Sequence, residues 1–404
     1  MSGPSHQGRL VVAALGLTQI IGYGTLYYSF SGLAASMARD FGWPPEWMFG
    51  AFSISLLAGG LVAPFVGNWI DRHGAGTVMA FGSICAAIAL AACALAPGPI
   101  AFSAGLMAIE LASTFVLYNA AFALLVQFDS GKAHRSITHL TLIAGFASTI
   151  FWPLTSALHE RLSWQEVYFV FAAVHLLVCL PLHFWLARLS RNPKRVDHGA
   201  TASQNIVEGS LPAERRQSAF VLMVAGIALL SFVDAAILIH MLPMLTALGL
   251  GGTSVLIGTL FGPAQVASRL LSMLSGNKIP ALGLALISGL LVPISIAVLL
   301  GSTWIPGATA FAVIFGLGAG LASIVQGTLP LALFGSNGYG RRVGKATVVR
   351  LVTSSAAPFV FAFMMQHVGV EVTLAIFAGL GLLAVIFFAA IGRAMQRVLV
   401  QEPS

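Results

Sequence analysis

Of the chain's 404 residues, 58% are hydrophobic and only 8% are charged, too thin a polar shell to cover so apolar a soluble domain. The formal charge of +7 comes from 20 Lys and Arg against 13 Asp and Glu. Those basic residues are spread over loops rather than gathered in a stripe with stacking aromatics, which argues against a nucleic-acid partner and for a lipid bilayer as the solvent.

Leu10 to Ala38 and Trp47 to Ile70 contain no Asp, Glu, Lys or Arg, and each exceeds the ~20 residues that a tilted spanning helix needs. Further apolar runs follow at 77–96, 99–127, 136–158 and 165–187, then at 219–246, 253–275, 281–300, 304–334, 345–366 and 371–392. The runs are continuous rather than alternating, so they read as twelve helices and not as barrel strands. Between the sixth and seventh lies the one long polar stretch. The expected organisation is therefore 1–187 as one six-helix bundle, 188–218 as a cytoplasmic linker and 219–404 as a second bundle with a short tail.

With the N-terminus inside, the cytoplasmic side receives Arg9, Arg72, Lys132, Arg135, Arg188, Arg191, Lys194, Arg195, Arg215, Arg216, Lys278, Arg341, Arg342, Lys345, Arg393 and Arg397. The outside receives Arg39 and Arg161, and only Arg269 and Arg350 fall within spans. This distribution predicts both termini in the cytoplasm. The polar tail ending at Arg9 precedes a run too long for a signal-peptide core, so the first helix is expected to be retained in an inner or plasma membrane. Cys85, Cys93 and Cys179 all lie in apolar runs and read as small packing residues.

The halves correspond when residue 166 is laid on 371. Glu166-Val167 meets Glu371-Val372, Pro153 meets Pro358, and Arg135 falls one position from Arg341; Pro64 and Pro263 echo one another as well. Such ordered self-similarity points to a duplicated six-helix unit. Gly22, Gly24, Gly105, Ala108, Gly226, Gly316, Gly318 and Gly320 mark helices 1, 4, 7 and 10 as closely packed, and Pro153, Pro243, Pro330 and Pro358 predict kinks.

After the second run the chain reads Gly67-Asn68-Trp69-Ile70-Asp71-Arg72-His73-Gly74. This resembles the G-x-x-x-D-R-x-G signature of the major facilitator superfamily, in the loop and on the side where that family carries it. The resemblance covers the whole chain and implies an all-α membrane protein, with twelve transmembrane helices in two pseudo-symmetric six-helix bundles. It further implies a conformational gate in which Gly67 permits close helix approach, Asp71 faces the N-terminal end of helix 11, Arg72 ties the loop down and Gly74 closes the motif. Ala75 and Gly76 stand where basic residues usually follow, which predicts a weaker latch.

Charges within spans cost several kcal/mol unless paired or hydrated, so Glu110, Asp234, Arg269 and Arg350 are all site candidates. Glu110 in helix 4 and Asp234 in helix 7 are candidate proton carriers, since burial disfavours the ionised carboxyl. Asp234 is the first choice because Tyr27 occupies the corresponding place in helix 1; an interhelical contact is the competing reading of Glu110. The run Gly262 to Arg269 resembles helix 8 of the monocarboxylate transporter and oxalate-formate antiporter branch, whose arginine binds a substrate carboxylate. Gln265 stands where that branch often has Asp. Arg269, paired with a loop acid or snorkelling, is the alternative. Arg350 resembles a second basic position in oxalate-type relatives, and Tyr23, Tyr27, Tyr28, Phe30 and Tyr118 could wall a substrate site.

No histidine pair sits with a cysteine or carboxylate at metal-ligand spacing, no phosphate-binding Gly-x-x-x-x-Gly-Lys occurs, and no nucleophile elbow is visible. The expectation is a monomeric secondary transporter without cofactor or metal, not an enzyme. It would move a small organic solute, a carboxylate by preference, coupled to protons or counter-substrate. Proton-coupled efflux of amphipathic drugs or metabolites is the alternative, weakened because Gly145 to Pro153 in helix 5 lacks the Gly-Pro-centred motif of drug antiporters.

Overall fold

Among the described residues, twelve helices are each long and apolar enough to cross a membrane. In the computed structural model, which describes residues 6–129, 133–190, 211, 215–275, 279–301, 304–335 and 339–399, helices 1 to 6 are Gln7–Phe41, Pro45–His73, Ala75–Ala94, Pro99–Phe128, Ser136–His159 and Trp164–Leu189. Helices 7 to 12 are Arg216–Ile239, Ser254–Leu274, Ala281–Gly301, Ile305–Phe334, Arg342–Val368 and Val370–Arg393. The chain divides into two compact units, Met1–Asp197 and His198–Ser404. Most of the expected linker, together with Lys132, Arg191, Lys194, Arg195 and Lys278, lies outside the described residues. Leu211 does not. It is buried, its N–H donates to the Leu333 carbonyl at 3.3 Å, and its own carbonyl accepts from Arg216 Nε, so the end of the linker is docked at the foot of helix 10.

In the first unit a buried apolar cluster joins all six helices: Val11 and Leu15, Val66 and Ile70, Val78 and Met79, Leu124 and Leu125, Leu140, and Leu186. Helix 3 is the hub, packed against helices 2, 4 and 6. It can be approached closely because its contacts are small: a β-carbon at Gly105 would lie 2.8 Å from Cys93 Cα, and one at Gly82 would lie 2.5 Å from Phe115 Cβ. Cys85, Cys93 and Cys179 are all free thiols, and the last two are buried.

In the second unit helix 10 packs on helices 8 and 9, and helix 12 on helices 7 and 9. A β-carbon at Gly316 would fall 2.7 Å from the Phe261 carbonyl oxygen, and one at Gly320 would overlap Ser268 Oγ. Gly318, on the next face, meets Leu291 of helix 9. The small residues of helix 10 thus set backbone-to-backbone contact with helix 8, the dominant packing device where lipid offers no hydrophobic drive for helix association.

The spans are interrupted at more places than the prolines alone predict. Helix 1 contains a π-helical turn, Gly24–Tyr28, and helix 6 another, His175–Cys179. Helix 4 breaks at Leu117 (ψ −165°), and helix 7 breaks at His240 before a short apolar helix continues to Leu250. The break at His240 falls just ahead of Pro243, which stands in the first turn of the next segment, so the kink expected there is present; the other three interruptions are not at a proline. Pro153 and Pro330 lie within helices 5 and 10, while Pro358 opens the second segment of helix 11 just after a break at Ala356.

Because Gly320 faces backbone and Gly67 faces open space, their substitutions should diverge. Gly320→Val should overpack the helix 8–helix 10 contact and cost about 1–3 kcal/mol, read as a lower unfolding temperature in detergent. Gly67→Ala should leave that temperature unchanged.

Candidate functional site

The motif Gly67 to Gly74 ends helix 2. Gly74 adopts φ +83°, where an L side chain is strained, and its N–H closes the helix on the Ile70 carbonyl at 2.9 Å. Helix 3 then begins at once, and its first N–H, from Ala75, donates to Gln127 Oε1 at the end of helix 4, 2.8 Å away. Asp71 and Arg72 are exposed. The departure from the motif has a steric reason: Ala75 is fully buried, and a β-carbon at Gly76 would lie 2.6 Å from Ala187 Cα of helix 6. Basic side chains have no room at either position.

A second polar region surrounds the π turn of helix 1. Gly24 permits the turn to press on helix 5, since a β-carbon there would overlap the Phe151 ring. One hydrogen bond holds the turn to helix 6. Thr25 Oγ1 donates to the Ile21 carbonyl (2.8 Å), so the 2.8 Å contact with His175 Nε2 must be donated by the histidine. Ser29 Oγ donates to the Thr25 carbonyl. His183, lower on helix 6, is held the same way by Ser83 of helix 3 at 2.7 Å. These histidines are therefore interhelical hydrogen-bonding groups, and among the described residues no cluster that could hold a metal occurs.

Glu110 lies beside this region, 6% exposed, with Tyr27 and Tyr168 near enough to interact with it electrostatically. Its Oε2 accepts a long 3.5 Å contact from Ser113, and its Oε1 is buried without a hydrogen-bond partner. Gly59 of helix 2 packs against its backbone carbonyl. Tyr27 touches Tyr28 and Phe52. Tyr118 begins the second segment of helix 4 and lies against Tyr23 (centroids 4.7 Å) and Phe122 (5.0 Å). Tyr23, Tyr118 and Phe122 thus form one ring cluster on helices 1 and 4, whereas Tyr27 joins Tyr28 and, through Phe52, the buried Phe30.

In the second unit, Asp234 is part-buried on helix 7 and its Oδ1 is buried without a hydrogen-bond partner. Arg269, half-buried on helix 8, donates from Nε to Ser323 Oγ of helix 10 at 3.1 Å. Gln265 lies one turn earlier on the face whose backbone meets Gly316 and Gly320. Arg350 is on helix 11, which packs chiefly on helix 7, so the two arginines sit on different helix pairs. Gln19, Thr25, Gln127, His175 and Ser323 were not singled out from sequence. Uncharged polar residues inside otherwise apolar spans were the available signal.

Residues 15–358 match the family model of the Major Facilitator Superfamily. The chain belongs to that superfamily. It is accordingly a multi-pass membrane transporter rather than an enzyme. The facilitator fold is also seen in solved structures. A bacterial homologue of the human lysosomal transporter Spinster, inward-facing and unoccupied, aligns over 98% of this chain and 99% of its own at TM-score 0.70 and 15% identity. The same homologue in an occupied state gives 98% of both chains, 0.68 and 15%. The human organic anion transporter MFSD10 (TETRAN) gives 96% of this chain and 100% of its own, 0.62 and 16%. No curated protein matches.

Loss of the Gln127 cap in this facilitator should be measurable. Gln127→Leu should cost about 1 kcal/mol, the usual value of an N-terminal cap, and Gly74→Ala a comparable amount through its positive φ. Thermal unfolding in detergent reads both, and unchanged stability in both variants would show that the loop is not held as described.

Proposed function

We propose that this facilitator carries a small organic carboxylate by alternating access, as a monomer in an inner membrane with both termini cytoplasmic. The observation that carries this reading is Arg269. It is a guanidinium within a membrane span, and the bond from its Nε to the Ser323 hydroxyl orients the group. The planar fork suits a carboxylate, which can take two parallel charge-assisted hydrogen bonds. The helix 8 resemblance to the monocarboxylate and oxalate-formate branch supports the same reading, as does likeness to a protein described as an organic anion transporter. Arg350 and Gln265 are further proposed substrate contacts, with Tyr27 and Tyr118 as walls. The sixteen-to-two loop distribution of basic residues supports the orientation.

Proton coupling rests on Asp234, with Glu110 as the competing assignment. Each has a buried carboxyl oxygen lacking a hydrogen-bond partner, a costly arrangement for a permanent carboxylate. Asp234 is the less enclosed of the two. A second reading, proton-coupled efflux of amphipathic solutes, is favoured by the Tyr23, Tyr118 and Phe122 patch. Transport assays in proteoliposomes with mono- and dicarboxylates against lipophilic cations, with and without a pH gradient, separate the two. Transport of the cations alone would remove the carboxylate reading.

Arg269→Lys keeps the charge and loses the fork, so carboxylate affinity should fall by about 1.5–3 kcal/mol. Unchanged kinetics in Arg269→Lys and Arg269→Ala would take the residue out of the site. Asp234→Asn should abolish pH-driven accumulation and retain exchange, whereas the same result in Glu110→Gln alone would transfer the coupling role. Asp71→Asn should lower turnover while leaving equilibrium affinity within a few fold, because a gate biases conformations rather than binding substrate.

A further inference from the structure

At the end of the first unit away from the loop at 67–74, a histidine ties helix 5 to helix 1. His159 is the last residue of helix 5 and is part-buried. Its Nδ1 lies 3.1 Å from the Leu162 carbonyl, three residues on in the turn to helix 6. A carbonyl only accepts, so Nδ1 carries the hydrogen and Nε2 of the neutral ring presents a lone pair. Ser36, buried on helix 1, stands 2.6 Å from that nitrogen and therefore donates its hydroxyl hydrogen to it. The Ser36 oxygen in turn accepts from Arg39 Nη2 at 3.1 Å.

This arrangement suits one charge state of the ring only. Hydroxyls in a helix commonly donate back to a carbonyl of the preceding turn, as Thr25 and Ser29 do on the same helix. Among the described residues the Ser36 hydroxyl has His159 Nε2 as its one acceptor. A proton on Nε2 turns that acceptor into a donor. Two cationic donors, imidazolium and guanidinium, then face one oxygen, and the hydroxyl hydrogen is left bare. The charged groups around the ring are Arg39 and Asp40 on helix 1, Glu160 and Arg161 just after it, and Glu166 on helix 6. Asp40 Oδ2 accepts from Trp164 Nε1 (2.7 Å) and Gln165 Nε2 (3.2 Å), while Glu166 accepts from the Ser163 N–H (2.8 Å) and hydroxyl (2.9 Å). Among the described residues no carboxylate bonds to the ring or to Arg39, so nothing offsets the added charge.

We propose that Ser36 and His159 form a pin between helices 1 and 5 that is closed while the imidazole is neutral and opens when the face on which it lies turns acidic. The bonds from Trp164 and Gln165 to Asp40 do not involve the ring, so helix 1 stays tied to helix 6 when its tie to helix 5 is lost. The stretch of helix 1 that the pin holds, Ser29–Asp40, begins where the π turn Gly24–Tyr28 ends. Opening the pin therefore loosens a segment that lies between an irregular turn and a fixed end. The transporter gains a response to pH on one face that is separate from Asp234 and Glu110. The inference rests neither on Arg269 nor on a coupling carboxylate.

The test reads the unfolding temperature of the purified full-length protein in detergent at about pH 7.5 and about pH 5.5, near the two ends of the range in which histidine changes charge. Ser36→Ala should lower that temperature by about 2–4 °C at the higher pH, the usual shift for one hydrogen bond in a unit of this size. At the lower pH it should lower it by nothing measurable. In the His159→Gln background, where no ring can take up a proton, the effect of Ser36→Ala should be the same at both pH values. An equal loss at both pH values with His159 in place overturns the proposal. So does a larger loss in acid, as an imidazolium gripping Ser36 more firmly would give, or no loss at the higher pH, or a pH-dependent loss that persists with His159→Gln. Should either variant fail to fold, amide hydrogen exchange in the unaltered protein decides. Protection of residues 37–40, taken relative to helix 3, should fall severalfold at the lower pH, and unchanged relative protection overturns the pin.

Discussion

In a bilayer every backbone N–H and C=O must find its partner inside the protein, and this constraint explains more of the structure than any single side chain does. It makes each departure from the α-helix costly and therefore informative. The π turn Gly24–Tyr28 and the break at Leu117 persist because neighbouring helices supply what the helix loses. Gln19 takes up the Val116 carbonyl, while Thr25 and Ser29 bond back to carbonyls of their own helix and Thr25 accepts from His175 of helix 6. The polar residues of helices 1 and 6 are thus the means by which irregular backbone is tolerated, and the irregular backbone gives the first unit its polar interior.

Close approach is the second constraint. With lipid as apolar as leucine, helices gain little from burying apolar surface and more from van der Waals fit and backbone proximity. Gly105 on Cys93, Gly76 on Ala187, and Gly316 and Gly320 on helix 8 all serve that end. Packing and motif collide at Gly76. The family signature favours a basic residue there, and the contact between helices 3 and 6 in this chain forbids one. Whatever latch Asp71 and Arg72 provide works without that extra charge.

Charge is sparse enough that each buried group has a distinct environment. Glu110 is enclosed, with one oxygen bare and two tyrosines nearby; Asp234 is partly exposed with one oxygen bare; Arg269 is oriented by a hydroxyl of helix 10. The three carry different chemistry for that reason, although the sequence presents them alike, as charges in apolar runs.

The number of spans, their order, the duplicated halves and the motif loop were all legible in the sequence, because bilayer thickness imposes helix length and apolarity directly on composition. Four of the charged site candidates were legible for the same reason, since a charge in an apolar run stands out. Most of the interruptions were not. The break at Leu117 and the π turns Gly24–Tyr28 and His175–Cys179 contain no proline, unlike the break ahead of Pro243, and at Leu117 a side chain distant in sequence, Gln19, 97 positions from Val116, takes up the carbonyl that the break releases. The partners of the site residues were hidden likewise. Ser323 is an ordinary polar residue until helix 10, through Gly316 and Gly320, brings it against Arg269. Composition reports what a segment must be buried in, whereas only tertiary contact decides which bare donor meets which bare acceptor.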